Sequence, residues 1–239
     1  MTTTKKKVIG VLALQGAFIE HIEYFNKAIQ LNSDNYLSYT FTIIPIKTKE
    51  ELQQCDALVI PGGESSSMSY IAERTNLLPH LYAFVADENK TVWGTCAGLI
   101  FLSKQIQNGL ENQKCLGGLN IETNRNAFGS QLDSFVTNLD FSKFIPNCNN
   151  FPAVFIRAPV VTKIFAENDS SVLTKIPKSE NNTSTNTEKV QVLYQLELDK
   201  NDLIVAVRQG RILGTSFHPE LADDYRFHQW FIDEFVIKK

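Results

Sequence analysis

The strongest constraint in this chain is a series of short, unbroken apolar runs, each closed by a glycine, a proline or a hydroxyl-rich turn. Residues 8–14, 41–46, 57–60 and 91–93 are such runs. Continuous rather than alternating apolar character is how strands buried on both faces read. Helical patterns lie between and after them, at residues 18–30, 66–74, 77–86 and 97–107. Strand alternating with helix implies βαβ units and a mostly parallel sheet with helices on both faces. In such sheets ligands bind beyond the carboxyl ends of the strands, so the loops that follow the strands are where chemistry is expected.

The second half changes character. Residues 117–122, 134–141 and 153–156 read as short strands or extended segments. Residues 203–207 and 212–217 flank Arg208-Gln209-Gly210-Arg211, a hairpin signal because Gly210 can adopt φ > 0. The closing segment 222–236 sets Tyr225, Trp230, Phe231 and Phe235 among charged residues, as an amphipathic helix does. Residues 178–189 (KSENNTSTNTEK) carry no apolar side chain and cannot repay the entropy of ordering, so they read as a mobile polar surface insert. With 239 residues and no internal repeat, the expectation is one domain over 1–239 that includes a basic tail at 1–7.

Composition narrows the function classes. Lys plus Arg is 23 and Asp plus Glu is 26, a net charge of −3 without the basic footprint of a nucleic-acid binder. No apolar stretch approaches the ~18 residues of a membrane span. The run at 8–14 follows Lys5-Lys6-Lys7 as a signal peptide's would, but it stops at Gln15 with no small-residue cleavage site before Glu20 and His21. Cys55, Cys96, Cys115 and Cys148 form neither a C-x-x-C pair nor a zinc-type cluster, so no metal or cofactor is expected and a reducing, cytoplasmic setting is. In that setting the sequons at Asn168, Asn181 and Asn182 meet no glycosyltransferase.

Three segments carry chemistry. Gly94-Thr95-Cys96-Ala97-Gly98 follows an apolar strand and opens a helix, the nucleophile-elbow pattern with cysteine in place of serine. The glycines permit the sharp turn, the helix N-terminus favours developing negative charge, and the N–H of Ala97 can donate to an oxyanion. Ser216-Phe217-His218-Pro219-Glu220 ends the last hairpin strand. It places His218 on the same rim as a base, with Glu220 positioned to orient the imidazole. His21, His80 and His228 lack such a setting and are expected on helix surfaces. Ile60-Pro61-Gly62-Gly63-Glu64-Ser65 leaves a strand and enters a helix. Its two glycines can aim a second oxyanion donor, and Glu64 argues against phosphate binding there.

In this chain order the three segments resemble the class I glutamine amidotransferases, which are three-layer α/β proteins with a flavodoxin-like central sheet. Leu12-Ala13-Leu14-Gln15-Gly16, Pro61-Gly62-Gly63-Glu64-Ser65, Trp93-Gly94-Thr95-Cys96-Ala97-Gly98-Leu99, Arg125-Asn126-Ala127-Phe128-Gly129, Phe155-Ile156-Arg157-Ala158-Pro159 and Ser216-Phe217-His218-Pro219-Glu220-Leu221 together resemble the PdxT/SNO family. That family is the glutaminase subunit of pyridoxal 5′-phosphate synthase. Ser66 stands where the family usually has threonine, keeping the hydroxyl.

The resemblance implies hydrolysis of L-glutamine to glutamate and ammonia by a Cys96–His218–Glu220 triad. It implies an oxyanion hole at Gly62, Gly63 and Ala97, and glutamine binding by Gly63, Glu64, Ser65, Arg125, Ile156 and Arg157. It also implies delivery of ammonia to a (β/α)8-barrel synthase subunit that meets Gln15 and Gly16. A cysteine hydrolase or peptidase on the same elbow, and a catalytically silent regulatory subunit, are the alternative readings. The first has no need of Arg125 and Arg157 as a carboxylate clamp.

Overall fold

The structure is a computed structural model that describes residues 4–125, 134–166, 186–198 and 201–238. Residues 126–129 of the Arg125 motif, the three sequons and residues 178–185 of the polar insert lie outside the described residues. In chain order the first half contains β1 (Lys5–Leu12), α1 (Phe18–Leu31), β2 (Tyr39–Ile46), α2 (Lys49–Gln53), β3 (Ala57–Ile60), α3 (Ser65–Arg74), α4 (Leu78–Ala86), β4 (Thr91–Thr95) and α5 (Ala97–Leu102). The second half contains β5 (Ser103–Gln107), β6 (Leu119–Asn124), β7 (Ser134–Leu139), β8 (Phe151–Ile156), β9 (Val160–Ile164), β10 (Gln191–Leu198), β11 (Asn201–Gln209), β12 (Ile212–Thr215) and α6 (Arg226–Phe231).

The strands β2-β1-β3-β4-β12 run parallel to one another. This is the doubly wound order, and it turns the carboxyl ends of all five strands to one rim. Beyond β12 the sheet continues through β11, β9, β6 and β5, with antiparallel pairings at β12–β11, β11–β9 and β9–β6. The expected hairpin is β11–β12, with Gly210 at φ 58°. β7 and β8 form a separate antiparallel pair.

Period-two alternation in the central strands divides the core into two layers. Ile9, Val11, Ala57, Val59, Trp93 and Leu213 face one way, against Phe25 and Ala28 of α1 and Phe227 and Phe231 of α6. Val8, Leu12, Leu58, Ile60, Val92 and Ile212 face the other way, against Met68 of α3, Leu81 of α4 and Leu99 and Phe101 of α5. Burying both faces is why the strands are continuously apolar in sequence. No helix among the described residues is long and apolar enough to cross a membrane.

Three expectations change. The first strand begins at Lys5, so the basic tail is shorter than 1–7: Lys5, Lys6 and Lys7 pair with Tyr39, Thr40 and Phe41 of β2. A ladder needs only backbone, so lysines join it. The helix expected over 97–107 stops at Leu102, and Ser103 starts β5 with its Oγ bonded 2.6 Å from the Ile100 carbonyl. Residues 186–188 of the insert are held in place. The buried Gln209 donates through Nε2 to the carbonyls of Asn186 (3.2 Å) and Glu188 (2.7 Å), and Asn120 Nδ2 donates to the Asn186 carbonyl at 3.1 Å.

Candidate active site

The elbow sits where β4 reaches the rim. Cys96 has φ 48° and ψ −103°, a conformation that non-glycine residues seldom adopt. It is held there from both sides. Its N–H donates to the Thr215 carbonyl of β12 at 2.8 Å, and its carbonyl accepts from Ile100 N at 3.2 Å. Gly98 explains the second glycine of the pattern: a Cβ there would overlap the Ile60 carbonyl, so α5 could not lie this close to β3. Ala97 opens α5, in the turn whose N–H groups have no partner further down the helix.

His218 leaves β12 and is buried, with its backbone N–H donating to the Val154 carbonyl of β8 at 2.8 Å. Its Nδ1 is 2.7 Å from Oε1 of Glu220, and Cys96 lies close enough to act on its protonation. Burial works against charge on this imidazole. Interaction with Cys96 and the bonded Glu220 carboxylate outweighs it and pushes His218 up to about 10. Burial likewise pushes the Glu220 carboxyl up, but His21 and His218 bring it below its usual value, so it is a carboxylate. The Cys96 sulfur also makes a long contact, 3.8 Å, with the Ile156 carbonyl. Gly62 lies against the imidazole so closely that a Cβ there would run into the ring.

A second set of residues runs along the rim from the Gly62-Gly63 turn. Gly63 has φ 153°, in a region left to glycine. The Gln15 side chain grips the next residue from both sides. Its Oε1 accepts from Glu64 N at 3.0 Å, and its Nε2 donates to the Glu64 carbonyl at 3.1 Å. Gly16 packs on the Gly62 carbonyl with φ 81°, where a side chain would overlap it. Glu64 caps α3, accepting from Ser66 N (3.1 Å), Ser67 N (2.7 Å) and Ser66 Oγ (2.5 Å). Partial burial pushes its carboxyl up, but these bonds prevail and take it down to about 2.

Arg125 Nη2 donates to Glu64 Oε1 at 2.8 Å. Ser65 Oγ accepts from Gln113 Nε2 at 2.9 Å, while Gln113 Oε1 lies 3.4 Å from Arg125 Nη1. The structure thus joins Gln15, Glu64, Ser65 and Arg125 into one strip beside Cys96, His218 and Glu220. Ile156 reaches the sulfur through its carbonyl. Arg157, with φ 42°, is exposed at the end of β8 and makes no bond within the strip.

Three polar residues at the site escape sequence reasoning. Gln113 lies in an irregular loop and has no spacing signal. His21 and His228, expected on helix surfaces, are both fully buried. His21 carries a usable signal, standing four residues before Phe25 and seven before Ala28, the other buried positions of α1. His228 sits among Phe227, Trp230 and Phe231, all buried.

The comparisons follow the same geometry. A family model described as the SNO glutamine amidotransferase family matches residues 11–183 and 180–237. The pyridoxal 5′-phosphate synthase subunit SNO1 of Saccharomyces cerevisiae is 50% identical over 238 residues, covering 99% of this chain and 96% of its own. The pyridoxal 5′-phosphate synthase subunit PdxT of Herpetosiphon aurantiacus is 39% identical over 227 residues, covering 94% of this chain and 98% of its own. The crystal structure of a glutamine amidotransferase matches with a TM-score of 0.68 at 33% identity, covering 94% of this chain and 97% of that one. Both the elbow and the His218 turn fall inside the family match, and the chain belongs to the SNO glutamine amidotransferase family.

Proposed function

We propose that this chain is the glutaminase subunit of a pyridoxal 5′-phosphate synthase, a single glutamine amidotransferase domain working in the cytoplasm. It hydrolyses L-glutamine and passes the ammonia to the synthase subunit for vitamin B6 synthesis. The observation that carries the catalytic reading is His218, buried between the Cys96 thiol on its strained elbow and the Glu220 carboxylate 2.7 Å away.

In this reading the proton of the Cys96–His218 pair lies on the imidazole, and the Cys96 sulfur attacks the side-chain amide carbon of glutamine. The N–H of Ala97 and one from the Gly62-Gly63 turn receive the oxyanion, each such donor contributing about 2.7–4 kcal/mol. The elevated His218 suits the first half of this cycle, because Glu220 and the negative sulfur stabilise the imidazolium. Once the sulfur is bonded to the amide carbon its charge disappears and the proton becomes easier to surrender. It goes to the departing nitrogen, and ammonia leaves. His218 then takes a proton from water, which cleaves the γ-glutamyl thioester and releases glutamate.

Arg125 is the cation for the substrate's α-carboxylate, with Glu64, Ser65, Gly63, Ile156 and Arg157 around it. Glu64 Oε1 already engages one arm of the guanidinium, which fixes the fork before substrate arrives. Arg125→Met is expected to raise KM for glutamine about 10- to 100-fold, the range for losing a hydrogen bond to a charged group. Arg125→Lys should recover only part, since an ammonium cannot bind bidentately. Steady-state glutaminase kinetics check both, and an unchanged KM in the methionine variant removes Arg125 from the substrate site.

Docking of the synthase at Gln15 and Gly16 is expected to stimulate turnover. Gln15 holds the backbone of Glu64, one residue from the Gly63 N–H, so a partner that moves the loop after β1 re-aims that donor. The test is glutamate release with and without the synthase subunit. A rise of at least about tenfold is expected, less than one oxyanion donor's share; equal rates count against the coupling, and no release in either case against the glutaminase reading.

A further inference from the structure

Behind the triad lies a buried polar line that its chemistry leaves unexplained. Glu220 is buried and turns Oε1 to His218, while Oε2 has no hydrogen-bond partner of good alignment among the described residues. The nitrogen facing that oxygen is Nε2 of His21, 3.3 Å away and also 3.3 Å from Thr95 Oγ1. Nδ1 of His21 is in turn 3.0 Å from Nε2 of His228. Nδ1 of His228 is buried without a partner among the described residues. Trp93, Phe25 and Tyr24 surround the two rings and exclude water, with centroids 5.5 Å from His21 (Trp93) and 5.2, 4.9 and 5.3 Å from His228 (Trp93, Phe25 and Tyr24).

Counting donors and acceptors along this line selects one proton arrangement. A neutral imidazole has one N–H and one bare nitrogen. If His21 carried its proton on Nδ1, a bare Nε2 would face the Glu220 carboxylate, and two lone pairs would oppose each other in a dry site. His228 would then have to accept at Nε2, leaving a buried N–H on its Nδ1 with no acceptor, the costlier kind of orphan. With both protons on Nε2, His228 donates to His21, and His21 donates toward Thr95 and Glu220. The end of the line is then a bare nitrogen among aromatic rings. Burial lowers both histidines to about 3, so neither is charged at neutral pH.

Resting on the glutaminase reading above, we propose that His21, backed by His228, is a positioning residue for the reaction. It holds the second oxygen of Glu220 so that the first stays aligned on Nδ1 of His218. The active site then extends as Cys96, His218, Glu220, His21 and His228, with α1 and α6 supplying the last two members. His21 does not touch the reacting atoms. It fixes the tilt of the carboxylate plane, and through it the direction in which His218 presents its other nitrogen to Cys96.

Two measurements test this. Nitrogen-15 NMR of the full-length chain labelled at histidine should show His21 and His228 both neutral at pH 7, each with its proton on Nε2. A proton on Nδ1 of His21, or a charged His21, overturns the arrangement, whatever the protein's activity. In the complex with the synthase subunit, His21→Leu should lower kcat for glutamate release about 10- to 100-fold with KM within about twofold. His21→Gln, whose amide N–H reaches the Nε2 position, should return kcat to within about fivefold of wild type. A folded leucine variant at wild-type kcat, or leucine and glutamine variants equally impaired, defeats the proposal. Failure of the glutaminase reading itself appears separately, as no glutamate release from wild type.

Discussion

Cys96→Ala is expected to abolish glutamate release, by at least about 10⁴-fold, while leaving the fold and synthase binding in place. Alanine keeps the Cβ and meets the same positive φ, so the elbow retains its shape and loses only the sulfur. No other thiol can substitute. Burial raises Cys55 and Cys115 to about 12 and Cys148 to about 11, which leaves each a buried, unreactive thiol. A coupled glutamate assay with the synthase present measures the loss, and size-exclusion chromatography of the mixture measures docking. Residual release above about 1% of wild type would move the nucleophile elsewhere, because losing a nucleophile alone costs several orders of magnitude.

Mild acid is expected to destabilise the protein strongly, and two side chains are responsible. His21 and His228 are fully buried and lowered to about 3, whereas in the unfolded chain each titrates near 6.5. Between these values the unfolded state binds protons that the folded state refuses. Stability is therefore complete above about pH 6.5 and declines as pH falls. At pH 5 each histidine forfeits about 2 kcal/mol, so the pair forfeits about 4 kcal/mol, much of a typical domain's stability. His218 works in the opposite sense. Its imidazole is raised to about 10, so its contribution is complete below about pH 6.5 and is lost as pH climbs toward 10. Glu64 and Glu220, with lowered carboxyls, respond only below the usual carboxylate range. Asp233, raised by burial, gains slightly in acid. Urea unfolding at pH 7 and pH 5 should show the difference, and His228→Phe should roughly halve it. Equal stability at the two pH values would mean that the pair is charged or solvated in the fold.

Much of the architecture was legible in residue order. Residues 57–60 read as a strand and are β3, because four consecutive apolar residues ending at Pro61-Gly62 leave little else to form. The hairpin at Gly210 and the elbow at Cys96 were legible for the same reason: each is a local backbone requirement met by glycine. Ser103 was not legible. The apolar pattern of α5 continues past it, and only pairing with β6 ends the helix there. The burial of His21 and His228 is not legible in sequence because histidine suits a surface or a core equally. Which of these it occupies depends on what packs above it, here α1 against α6 and Trp93.

Residue order alone specifies the parallel α/β class, the elbow cysteine, and the His218–Glu220 pair two residues apart on a proline-stiffened turn. Short-range spacing suffices for these, since they depend on local backbone geometry and apolar period. Folding in three dimensions is what brings Arg125 to Glu64, sets Gln15 on the turn after β3, and carries His21 to the far oxygen of Glu220. Those contacts join segments far apart in the chain. They exist because burying both faces of the sheet brings the strand ends to one rim and seals polar groups against it, where each must find a partner.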